Sequence, residues 1–177
     1  DEVQHTPGTP DEQPGASPEI FPSPDFDAAG PRDANVERCT RCRSMVMQAW
    51  NQYGTIWPVI HQQLGVRPDL GRDTLEVVPQ VPPNAPSVGG ENVRLGDGAL
   101  RSVEASHDGG RYVTEVDTGS APIRWLTIGH TLPHGARVDS VVLDGKRHGA
   151  QKRETHRGLE LTVKTGPGRH VLEVRAR

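Results

Sequence analysis

Large apolar side chains are sparse over residues 1–43, whereas residues 44–66 and 74–177 carry them in regular patterns, so a core is expected from the latter two stretches. From Ser44, a residue suited to capping, Val46, Met47, Trp50 and Tyr53 recur at three- and four-residue spacing. That period places them on one face of a helix over 45–53, which Gly54 interrupts. Pro58 suits the first turn of a second short helix, which runs through Val59–Leu64 and ends at Gly65.

From Leu75 onward the period changes to two. The strands predicted are 75–81, 92–95, 100–106, 111–117, 124–131, 138–143, 158–164 and 170–176. The cleanest is 158–164, where Leu159, Leu161 and Val163 alternate with Glu160, Thr162 and Lys164. Asp108-Gly109-Gly110, Asp144-Gly145 and Gly166-Pro167-Gly168 supply tight turns between such segments. Short connections without helices between strands predict a mainly β fold, an antiparallel β-sandwich preceded by a short helical hairpin. Three parts follow: an extended Pro-rich segment over 1–43, the helical hairpin over 44–73, and the β-sandwich over 74–177.

Composition narrows the function classes. The 20 basic and 23 acidic residues are interspersed, with a formal charge of −3, so no basic stripe is available for nucleic acid. No apolar run is long enough to span a bilayer. Pro7, Pro10, Pro14, Pro18, Pro22, Pro24 and Pro31 stiffen the first segment, which also contains Ile20, Phe21 and Phe26. A stretch of this kind is expected to lie on another surface, and the chain reads as a piece of a longer polypeptide.

Cys39 and Cys42 form a CxxC pair, open to a local disulfide or to free thiols. No second pair of ligands at zinc spacing accompanies them, so no metal and no cofactor is expected. The GxSxG, HExxH, P-loop and dinucleotide motifs are absent from the sequence. His107, His130, His134, His148, His156 and His170 are scattered through the strand region, where turn or surface roles account for them.

Glu19, held between prolines in Ser17-Pro18-Glu19-Ile20, is the candidate catalytic carboxylate, with Asp25 and Asp27 as rivals. A stiff backbone helps to hold a general base in place. Gln48, Trp50, Tyr53 and Trp57 form a second group: amphipathic aromatics and an amide suit stacking and hydroxyl recognition in a sugar site, and the same spacing also suits a packed core. His61 reads as a packed histidine.

The run Gln48-Ala49-Trp50-Asn51-Gln52-Tyr53-Gly54-Thr55-Ile56-Trp57-Pro58, within Ser44 to Asp69, resembles the closing helical hairpin of bacterial six-hairpin α/α-barrel glycoside hydrolases, the group of glycogen-debranching enzymes, glucoamylases and α-L-rhamnosidases. Leu75-Glu76-Val77-Val78-Pro79, Leu126 to Pro133 and Val141-Val142-Leu143-Asp144-Gly145 resemble the β-domain that trails such barrels. The resemblance implies a glycosidase C-terminal part whose partners are the remainder of the barrel and an oligo- or polysaccharide substrate, in a secreted or extracytoplasmic setting. It also implies that Glu19 matches a general base in a Pro-Glu segment, with the general acid elsewhere in the barrel. The alternative is a carbohydrate-binding or adhesion β-sandwich that works without catalysis.

Overall fold

The structure, a computed structural model, describes Gly54 and residues 56–177. Residues Pro58–Arg177 form one unit of the chain. Its entry is a helical turn at Pro58–Gln63, as the Pro58 and Gly65 signals predict. The turn is wide, closed by a Leu64 N–H to Val59 carbonyl bond of 2.9 Å, five residues back. Gly65 then takes φ +63°, and a Cβ there would overlap the Val78 carbonyl. The close approach lets Val78 N–H bond the Gly65 carbonyl (3.0 Å) and Gln80 N–H bond that of Gln63 (2.9 Å).

Eleven strands follow: β1 (Val66–Asp69), β2 (Thr74–Val77), β3 (Ser87–Leu95), β4 (Gly98–Asp108), β5 (Arg111–Asp117), β6 (Trp125–Leu132), β7 (Val138–Leu143), β8 (Lys146–Arg147), β9 (Gln151–Thr155), β10 (Gly158–Thr165) and β11 (Arg169–Ala176). They make two sheets, one ordered β1-β2-β6-β10-β9 and the other β3-β4-β5-β11-β7-β8. The sandwich expected from the alternating pattern is therefore present. Among the described residues every strand pairing is antiparallel except β2 with β6, where Thr74 faces Trp125 and Val77 faces Ile128. The chain leaves the first sheet after β2, builds three strands of the second, and returns in the same direction.

Each predicted strand has its counterpart in the structure, and three observed strands were not predicted. The sheet begins at Val66, ahead of residue 74, because Val66–Asp69 pairs with Thr74–Val77 around a 3-10 turn at Leu70–Arg72. β8 and β9 are short and polar. All three sit at sheet edges, and Pro68 lies within β1. On the remaining edge, the β3–β4 ladder is interrupted at Asn92, which is left-handed at φ +52°.

Turn chemistry explains the hairpins. Asp144 and Gly145 take φ +49° and +78°, the double left-handed turn that matches strand twist, between β7 and β8. Gly166-Pro167-Gly168 differs from the expectation of a hairpin: it carries the chain from one sheet to the other, since β10 and β11 belong to different sheets. Thr118 fixes that crossing, its N–H bonding the Gly168 carbonyl (3.0 Å) and its Oγ1 accepting from Gly168 N–H (2.8 Å).

The core lies between the sheets. Leu75, Val77, Leu126, Ile128, Leu132, Leu159, Leu161 and Val163 from one meet Leu100, Val103, Val116, Leu143, Leu172 and Val174 from the other. Each fully buried aliphatic side chain contributes roughly 1.5–3 kcal/mol.

Candidate functional site

Of the residues expected to carry function, Glu19, Gln48, Trp50 and Tyr53 lie outside the described residues, as do Asp25, Asp27, Cys39 and Cys42. Trp57 is described and stays 40% exposed, beside Ile56 and Val59, which are also exposed. His61 is half-buried on the helical turn. Burial lowers its pKa, outweighing the backbone hydrogen bond at Val66 that raises it.

The densest cluster of charge among the described residues sits on the outer face of the β1-β2-β6-β10-β9 sheet, and the sequence pattern sets one of its members, Glu160, on the polar side of a half-buried strand. Glu160 is instead 1% exposed. Arg67 of β1 reaches it from Nη2 (3.0 Å), Arg153 of β9 from Nε (3.2 Å) and Nη2 (2.5 Å), and Arg157 of the β9–β10 turn from Nη1 (3.0 Å). Cross-strand register explains Arg153, which lies directly opposite Glu160. Glu76 of β2 completes the cluster, its Oε1 accepting from Arg67 (2.6 Å) and Arg153 (3.1 Å).

Arg157 is the most enclosed of the three arginines, its side chain 3% exposed. Besides Glu160, it donates to the carbonyls of Gln62 (2.5 Å) and Val78 (3.0 Å), and to Gln80 Oε1 (3.3 Å). It therefore ties the entry turn and the end of β2 to the β9–β10 turn.

This geometry decides what the cluster can do. Burial acts to raise the Glu160 pKa, but hydrogen bonds from Arg67 and Arg153 and their charges outweigh it, and the carboxyl is pushed down to about 2. A carboxylate held ionised cannot act as general acid, and one whose oxygens accept from three guanidiniums is a poor base. The cluster joins strands. Among the described residues no group of three His, Cys, Asp or Glu could hold a metal ion.

His130 corrects a second expectation. It is 1% exposed in the core between the sheets, where a surface role had sufficed. Thr114 Oγ1 donates to the Gly129 carbonyl (2.8 Å), so at 2.8 Å from His130 Nδ1 it accepts, which places the imidazole proton on Nδ1. Nε2 has no hydrogen-bond partner, and Tyr112 packs edge-on at 5.3 Å. Burial first, and the nearby His107 charge second, bring the His130 pKa down to about 3. Its position in β6 was the available signal: Leu126, Ile128, His130 and Leu132 share the inward parity.

His170 has a structural role as well. Its Nδ1 lies 2.8 Å from Asp144 Oδ2, while Asp144 Oδ1 accepts from Val171 N–H (2.8 Å), so the β7–β8 turn is fastened to β11.

No family model matches the chain, and no curated protein matches it. Among solved structures, the fold is similar to an α-L-rhamnosidase from Dictyoglumus thermophilum, with a TM-score of 0.53 and 12% identity over 75% of this chain and 15% of that one. An α-L-rhamnosidase from Streptomyces avermitilis, complexed with L-rhamnose, gives 0.47 and 18% over 75% of this chain and 12% of that one. A GH31 dextranase from Flavobacterium johnsoniae gives 0.37 and 10% over 58% and 16%. These neighbours are glycoside hydrolase chains. The present chain spans a small share of each, and the likeness to the first is one of fold.

Proposed function

We propose that this chain is the C-terminal portion of a glycoside hydrolase acting on oligo- or polysaccharides, with a structural β-domain over Pro58–Arg177. The observation that carries this reading is the sandwich itself, entered from a helical turn at Pro58–Gln63 and similar in fold to part of the Dictyoglumus thermophilum α-L-rhamnosidase. The sequence resemblance to six-hairpin glycosidases supports it independently of the fold.

In this reading the described residues hold the domain together and the chemistry lies elsewhere. Glu19 is the general base that activates water, the general acid comes from the remainder of the barrel, and Gln48, Trp50, Tyr53 and Trp57 contact the sugar. The enzyme acts outside the cytoplasm. The charge cluster around Glu160 accords with a structural task, since its carboxylate has no proton to give near neutral pH.

The test is to express the complete gene product that contains this sequence and assay it on a panel of aryl α-glycosides, alongside the 177 residues alone. Hydrolysis by the complete product and none by the shorter chain is expected. A complete product without glycosidase activity, or cells that make this sequence only as a free-standing protein, would overturn the reading. Saturable sugar binding without any hydrolysis would favour the binding module.

A further inference from the structure

The outer face of the β1-β2-β6-β10-β9 sheet continues past the charge cluster. At its middle stands Gly129, opposite Thr162 in the register, where the Thr162 and Val78 side chains fill the space that a β6 side chain would take. Beyond it an open groove of about 490 Å³ is lined by Thr127, His148, Gln151, Thr162 and Lys164, with the backbone of Gly149 and Ala150. Its volume falls in the roughly 300–1,000 Å³ range of small-molecule sites.

Trp125 lies outside the lining, two residues before Thr127 on the same strand face, and meets it through Lys164. The residue is 43% exposed, and Lys164 Nζ lies over one ring face, 4.4 Å from its centroid. Lys164 makes no ion pair with a described carboxylate. The segment beside the groove is also basic: between Lys146 and Arg157 there are five Lys or Arg residues and one acid, Glu154, in a chain whose net charge is −3.

We propose that this groove binds a saccharide that bears a carboxylate. The exposed part of the indole that Lys164 leaves uncovered offers apolar surface for the edge of a pyranose ring, Thr127, Thr162 and Gln151 offer hydroxyl and amide groups for sugar hydroxyls, and Lys164 offers the charge for the carboxylate. The cation–π contact holds the ammonium at the rim before the ligand arrives. A phosphate backbone fits less well, because a polyanion needs a track of cations and this face carries Glu76 and Glu160 at its other end. The site stands whether or not the chain belongs to a hydrolase, since none of its residues enters that reading.

The 177-residue chain is titrated calorimetrically with an oligogalacturonate and with a neutral malto-oligosaccharide of equal length. Saturable binding of the acidic sugar is expected, at least about tenfold tighter than the neutral one. Lys164→Ala and Trp125→Ala each weaken it by roughly tenfold or more, while Val171→Ala on the opposite sheet leaves it unchanged. Both altered residues are at the surface, and circular dichroism melts check the fold. Lys164→Glu, which retains the stem and reverses the charge, carries the test should Trp125→Ala unfold. Absent binding, equal affinity for the two sugars, or a Lys164→Ala affinity within twofold of the parent overturns the proposal. Tighter binding of an oligothymidylate of matched charge does so too.

Discussion

Replacing Glu160 by glutamine removes one charge and nearly no volume, and leaves three guanidiniums gathered around a neutral amide. Breaking a buried ion pair from one side costs roughly 3–5 kcal/mol. Arg67 and Arg153 are 33% and 58% exposed and regain water, whereas Arg157, at 3%, does not. The expected cost therefore lies at the lower end, about 3 kcal/mol, which for a domain of this size lowers Tm by roughly 10 °C. Arg157→Met should cost at least as much, because the Val78 and Gln62 carbonyls lose their donor too. Arg153→Gln should cost less than either, because Arg153 is itself 58% exposed and Arg67 and Arg157 still donate to Glu160. Urea unfolding followed by circular dichroism measures all three, and the double variant at 157 and 160 gives their coupling. The pH dependence has a definite sign. With its folded pKa at about 2, below the ordinary 4.5, Glu160 stabilises the fold above the latter and loses that contribution as pH falls through the former. The Glu160→Gln variant should have a shallower acid limb. A midpoint shift equivalent to less than about 1 kcal/mol, or an unaltered acid limb, would refute the cluster as a structural element.

Burial of neutral His130 sets a second pH dependence: its folded pKa of about 3 lies below the usual 6.5, so stability is full above the latter and declines as pH falls toward the former. Near pH 5 the loss is about 2 kcal/mol, and His130→Leu should flatten the urea midpoint between roughly pH 6.5 and 5. Gly65→Ala forces a side chain into left-handed backbone against the Val78 carbonyl, and a loss of at least about 2 kcal/mol is expected from the same unfolding measurement. In the complete gene product, Glu19→Gln should lower turnover by roughly 10² to 10⁴ while sugar affinity holds; turnover within a few-fold of the parent would move the base to Asp25 or Asp27.

The parts of the fold written in local chemistry were legible. Leu159, Leu161 and Val163 alternate because one face of β10 meets the core, and Asp144-Gly145 supplies two left-handed residues in succession. Strand β9 was not legible, since Gln151, Lys152, Arg153 and Glu154 are all exposed at a sheet edge and leave no apolar alternation to detect. Glu160 had the opposite difficulty. Its polar parity was visible and Arg153 and Arg157 are near in sequence, but its enclosure also involves Arg67, 93 residues away, which no local pattern reports. His130 was readable from parity alone, and the scatter of other histidines concealed it. The residues singled out for catalysis and most of those singled out for sugar contact lie outside the described part of the chain.

Strand edges expose unpaired N–H and C=O groups, which another chain can extend into a growing ladder. Here each rim is spoiled in its own way: β1 contains Pro68, β8 is two basic residues long, β9 carries Lys152, Arg153 and Glu154, and β3 is broken at Asn92. Edge-to-edge growth into aggregates is thereby discouraged even when a domain like this is handled in isolation. The same side chains that made β9 and β8 hard to find in the sequence thus protect the folded sheets from one another.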